Sequence, residues 1–146
     1  MTEYIIKTGC EFISNVDVLK YGSSLLLSKG LVNKEYSDEI VKREQKYPTG
    51  IESHVNFAIC HTEIQYSNGE AIAIITLKNP VEFRNMAEPQ RIVPVQVVFM
   101  LASQTAEGHM KSLQNIVNAM QDEKTAETFL QGSDIDISKV IKEKFS

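Results

Sequence analysis

Two apolar runs limit what this chain can fold into: Ala71-Ile72-Ala73-Ile74-Ile75-Thr76-Leu77, and the longer stretch over residues 92–102. Apolar and β-branched residues follow one another there with almost no polar alternation, the pattern of strands covered on both faces. Such strands belong to a sheet with helices packed against it. The chain also carries helical segments between its strands, so the pattern predicts an α/β fold with a mixed β-sheet flanked by helices. A chain of 146 residues has room for one domain of this kind with a real core and is tight for two. Residues 1–146 are therefore read as a single domain.

The other segments fit around those strands. Residues 4–7 and 11–14 are short apolar stretches on either side of Gly9 and read as two strands. Asn15 or Asp17 offers an N-cap for a helix running to residue 29, with Gly30 placed for a left-handed C-terminal cap. Asn33 can cap a second helix over residues 34–46, which Pro48 stops by restricting its neighbour and removing a donor. Residues 55–61 read as a strand in which Val55, Phe57 and Ile59 share one face with His61. Ser67-Asn68-Gly69 marks a turn. Asn79-Pro80 is expected to end the 71–77 strand and leave residues 81–88 as a loop or short turn. Thr105 can cap a helix over residues 106–120, and residues 125–131 and 138–144 read as two closing helices.

Charge and motif content narrow the function classes. A net charge of -4, with no basic block to offset it, argues against a nucleic-acid partner. No apolar run approaches the roughly 18 residues that span a bilayer, and Met1-Thr2-Glu3-Tyr4 lacks the basic start and apolar stretch of a signal peptide. Cys10 and Cys60 read as free thiols, which makes the cytoplasm the expected location. Gly-x-x-x-x-Gly-Lys is absent. Cys60 and His61 are neighbours on a strand and point to opposite faces. They are therefore poorly placed to share a metal or to form a Cys–His hydrolase pair, and no C-x-x-C spacing occurs. Neither a metal nor a cofactor is expected. Cys60 reads as a buried small residue and His54 as a solvated loop residue.

Three side chains remain with chemical potential. Arg43 lies on the helix face of Tyr36, Ile40 and Tyr47. An arginine inside an apolar stripe either snorkels to water or pairs with an anion, and a structural carboxylate partner is the plainer alternative. His61 stands where an apolar strand ends, the edge at which open α/β sheets place ligands, although a lone histidine there is more often ordinary. His109 falls in the first turn of its helix beside Leu113, Ile116 and Met120, where free amides and the helix dipole favour an anion and disfavour an imidazolium. It can donate a hydrogen bond to phosphate, or equally stand as a core-edge histidine bonded to a backbone carbonyl.

Taken together these residues carry a resemblance. Arg43-Glu44, then Pro48-Thr49-Gly50-Ile51, then Ala58-Ile59-Cys60-His61 resembles the active-site signature of enzyme IIA of the fructose/mannitol type in the sugar phosphotransferase system. Gly108-His109-Met110 with Leu113 is similar to that family's second histidine segment. The longer loop between Gly50 and Ala58 looks like the galactitol branch. The family usually has proline before its active histidine, whereas this chain has Cys60.

The resemblance implies a phosphotransferase with a phosphohistidine intermediate and three site residues. His61 would accept and donate the phosphoryl group, His109 would support it with a hydrogen bond, and Arg43 would orient it. It further implies phospho-HPr as donor and a cysteine of the cognate enzyme IIB as acceptor, with IIC in the membrane and galactitol as the sugar. A nitrogen-type or other regulatory, phosphorylation-dependent IIA-like module is the alternative. Phe83, Met86 and Met100 are candidates for an apolar patch on which partners dock in turn.

Overall fold

The two long apolar runs form the central pair of a five-stranded mixed sheet in the computed structural model, which describes residues 2–145. The strands are β1 (Glu3–Cys10), β2 (Gly50–Ile51), β3 (Phe57–Cys60), β4 (Ala71–Arg84) and β5 (Ile92–Ala102). Their order across the sheet is β1-β4-β5-β3-β2. β1 runs parallel to β4 and β3 parallel to β5, while the β4–β5 and β2–β3 pairs are antiparallel. The helices are α1 (Asn15–Ser28), α2 (Tyr36–Lys46), α3 (Ala106–Gln121), α4 (Glu123–Gln131) and α5 (Asp134–Lys144).

Period-two alternation divides the central strands between two cores. Ala73, Ile75, Val81, Phe83, Val98 and Met100 face Val18, Leu19, Leu26, Tyr36 and Ile40 of α1 and α2. Ile72, Ile74, Val97, Phe99 and Leu101 face Ile116, Met120, Phe129, Ile137 and Ile141 of α3, α4 and α5. Phe99 meets Phe129 edge-on at 5.4 Å between centroids. Each such large side chain taken from water contributes about 1.5–3 kcal/mol, which accounts for the absence of polar alternation in β4 and β5.

Several local expectations need correction. Residues 11–14 are not a strand: β1 instead continues through Gly9, whose φ of 62° takes up a shift in register against β4. Ser14, rather than Asn15 or Asp17, caps α1 by accepting a bond from the Asp17 amide. Asn33 accepts from the Glu35 amide in a turn, so α2 begins at Tyr36. Asn79-Pro80 does not end β4. The register slips between Thr76 and Val81, and the ladder then resumes with Val81 opposite Val95, so Pro80 falls where no ladder donor is required. β3 stops at Cys60, leaving His61 just past the strand. α5 starts at Asp134 because Ser133 and Asp136 form a capping box. Phe83 and Met100 lie in the core, and of the proposed patch only Met86 is exposed. His54 is an exposed loop residue as expected, and its Nε2 also lies 2.8 Å from Glu127 Oε1. Gly30, with φ of 71°, ends α1 as expected.

Candidate active site

Topology brings three chain segments to one end of the sheet. β3 and β5 are parallel neighbours with Cys60 opposite Met100, so their carboxyl ends coincide. His61 follows β3 directly, and α3 follows β5 after three residues, 103–105. β2 is antiparallel to β3 with Gly50 opposite Ala58, so the end of α2 that precedes it arrives at the same edge. Tyr36 fastens α2 to this edge, donating its buried hydroxyl to the Leu101 carbonyl at 2.7 Å.

Close backbone approaches set the positions. A Cβ on Gly50 would stand 2.7 Å from the Arg84 carbonyl oxygen, so only glycine lets the Pro48-Thr49-Gly50 loop lie against β4 at this distance. At α3, the Thr105 side chain accepts from the Gly108 amide at 3.0 Å and caps the helix as the sequence predicts. Glu70 accepts from the Gln104 amide, and its Oε1 would lie 2.8 Å from a Cβ on Gly108. The bare glycine before His109 thus admits a carboxylate to the start of the helix.

His61 and His109 meet with ring centroids 4.5 Å apart and planes inclined by 65°. Nδ1 of His61 lies 3.2 Å from the Ile59 carbonyl oxygen. A carbonyl only accepts, so Nδ1 carries the hydrogen and Nε2 keeps the lone pair. Burial first, then the charges of His109 and Arg43, lower the His61 pKa to about 4, against a smaller rise from the Ile59 bond. His109 is lowered by burial and by Arg43, with Glu70 acting in the opposite sense. Both rings are therefore neutral near pH 7, and His61 is a far weaker base than a free histidine.

Arg43 has no carboxylate within 4.0 Å among the described residues, and its Nε is buried without a hydrogen-bond partner. Its guanidinium carbon stands 5.3 Å from the Tyr47 ring centroid. A cleft of about 240 Å³ opens beside it, lined by Lys42, Arg43, Lys46, Tyr47, Thr62 and Glu63 among others. The structural-carboxylate alternative for Arg43 thus finds no partner. The adjacent carboxylate, Glu44, is committed elsewhere: it accepts the Thr49 amide at 2.8 Å and the Thr49 hydroxyl at 2.7 Å. Sequence reasoning placed Glu44 and Thr49 in the signature but gave neither a role. The signal available was an acidic residue directly after Arg43, followed at a short interval by Pro-Thr in the breaker loop. Cys60 is fully buried in the core on the side of α1 and α2, with its thiol pushed well up by burial. No metal-holding cluster of His, Cys, Asp or Glu occurs among the described residues, and no described helix is long and apolar enough to cross a membrane.

The fold is that of enzyme IIA domains of the mannitol type. The structure superimposes on the crystal structure of the mannitol IIA of Escherichia coli with a TM-score of 0.74 at 19% identity, covering 93% of this chain and 94% of that one. The same comparison with E. coli enzyme IIA of mannitol, solved in complex with phosphorylated enzyme IIB, gives 0.78 at 18% identity and 94% of each chain. Residues 2–144 match the family described as "Phosphoenolpyruvate-dependent sugar phosphotransferase system, EIIA 2", and the chain belongs to that family of phosphotransferases. By sequence it is 28% identical over 132 residues to the galactitol-specific EIIA component of E. coli, covering 89% of this chain and 87% of the relative.

Proposed function

We propose that this chain carries phosphoryl groups on Nε2 of His61, taking them from phospho-HPr and passing them to a cysteine of a cognate enzyme IIB during galactitol uptake, in the cytoplasm. The observation that carries the reading is the single hydrogen bond from His61 Nδ1 to the Ile59 carbonyl. It leaves Nε2 as an uncommitted lone pair beside a second neutral imidazole and within the field of an unpaired arginine. Similarity to the galactitol-specific component supports the choice of sugar, and the IIA–IIB complex of the mannitol relative supports the choice of acceptor.

The chemistry follows from those atoms. Nε2 attacks phosphorus while the P–N bond of the donor breaks and its electron pair returns to the donor. No proton has to leave His61, because Nδ1 keeps its hydrogen and the ring acquires positive charge. The Ile59 carbonyl stabilises that charge, so the same bond that fixes the tautomer strengthens as the product forms. The transferring group spreads negative charge over its equatorial oxygens. Arg43 offers them a guanidinium fork not neutralised by a carboxylate, and His109 donates from its N–H. Return of the phosphoryl group to a thiolate reverses these steps.

Incubation with phosphoenolpyruvate, enzyme I and HPr is expected to place one acid-labile, base-stable phosphate on His61, which His61→Ala abolishes. Labelling that survives that substitution unchanged sinks the assignment. His109→Ala and Arg43→Ala are expected to keep His61 as the acceptor and to slow transfer by about a hundredfold each, the usual cost of one charge-stabilising donor. Phosphate delivered from the labelled protein to the cysteine of a galactitol-type IIB, and not of a mannitol-type IIB, tests the sugar. A carrier that no such IIB drains is a regulatory module instead.

A further inference from the structure

One buried polar chain takes no direct part in the phosphoryl chemistry. Glu44 is 6% exposed, Thr49 8% and Cys60 0%. Thr49 gives both its amide and its hydroxyl hydrogen to Glu44, and its oxygen lies 3.5 Å from the Cys60 sulfur, whose single S–H has Thr49 Oγ1 and the Glu44 carboxylate as acceptors. Burying a carboxylate at a helix-to-loop junction is costly, and two donors from one residue offset that cost without making it a general need of the fold. The positions of the three members suggest what it secures. Glu44 directly follows Arg43, Cys60 directly precedes His61, and Thr49 stands in the loop that joins their elements. The bonded chain therefore runs from the backbone that carries the guanidinium to the backbone that carries the imidazole. Its last member is flanked by Ile59, whose carbonyl holds His61 Nδ1.

Resting on the reading of His61 as the phosphoryl carrier, we infer that Glu44, acting through Thr49 and Cys60, is a positioning residue that sets the His61 ring against Arg43 and keeps it in the Nδ1–H tautomer. It touches neither the phosphoryl group nor the reacting nitrogen. Thr49 is the discriminating position, because its two near-isosteric replacements separate bonding from packing. Thr49→Ser keeps the hydroxyl and loses a methyl group. Thr49→Val keeps the shape and loses the bonds from the hydroxyl.

The test combines ¹⁵N spectra of the histidine rings in the unphosphorylated protein with transfer kinetics from phospho-HPr, on variants shown by circular dichroism to be folded. Thr49→Val is expected to mix a second tautomer into His61 and lower the saturated transfer rate about tenfold with KM within twofold, as a displacement below 1 Å would. Thr49→Ser is expected to keep one tautomer and a rate near the parent's. The reverse order, with valine at the parent rate and serine impaired, reduces the chain to packing and overturns the inference. Should Thr49→Val fail to fold, Glu44→Gln, of nearly the same shape but with one acceptor fewer, carries the same comparison. The ring spectra need no phosphoryl transfer. A parent protein unlabelled at His61 would therefore refute the carrier reading while the tautomer comparison still decided the clamp.

Discussion

At the level of single residues the feature with most consequence is the low basicity of His61. A free histidine titrates near 6.5, but burial and two neighbouring groups bring His61 to about 4. In the proposed relay the nucleophile is the neutral ring, so transfer is expected to fail only where that ring becomes protonated. The saturated rate of phosphoryl transfer is therefore expected to be flat from about pH 8 to about pH 5 and to fall below that, whereas a solvent-exposed histidine would impose its acid limb near pH 6.5. Rates measured with phospho-HPr in excess across that range check it, and a limb centred at 6.5 would show that the ring is more open to water than its burial indicates. Arg43 contributes to the depression, so Arg43→Gln is expected to move the limb upward as well as lower its plateau.

Among the secondary-structure elements, the ends of helices and strands were the hardest to read and matter most. The start of α3 was legible because Thr105 precedes an amphipathic stripe and has only one plausible role. Thr105→Ala is expected to cost about 1 kcal/mol, as lost N-caps do, and to lower the melting temperature by about 2–4 °C for a chain of this size. Thr105→Ser should be close to neutral, and equal losses in both variants would mean that the methyl group, not the oxygen, holds the helix. The continuation of β4 through Asn79-Pro80 was not legible, since proline signals a stop unless a register slip removes the need for its missing donor, and that slip depends on β5. The start of α5 carried an available signal in Ser133-x-x-Asp136, a capping box with aspartate at the position usually taken by glutamate. The gathering of Arg43, His61 and His109 was legible only as a signature. Spacing along the chain does not say that β3 and β5 are parallel neighbours, and it is their shared carboxyl end that brings the two rings to 4.5 Å.

For the molecule as a whole, the site appears as a dependence of stability on pH. His61 and His109 have pKa values lowered by folding, so the unfolded chain binds more protons than the folded one between the folded and unfolded values. Their contribution is complete above the unfolded value near 6.5 and is lost as pH falls through each folded value, about 4 for His61, which is a gain of stability with rising pH. Glu44 has the opposite sign: burial raises its pKa, so its contribution is largest where it is protonated and declines as pH rises through the folded value. The two effects oppose one another in the acid range, and the parent's melting curve alone would blur them. His61→Gln, which keeps a polar planar side chain without a titrating ring, separates them. The difference in melting temperature between parent and variant is expected to move against the parent by about 5–10 °C between pH 7 and pH 4, the shift that about 2–3 kcal/mol from one depressed histidine produces in a domain of this length. A difference that stays constant across that range would mean that His61 keeps an ordinary pKa in the fold.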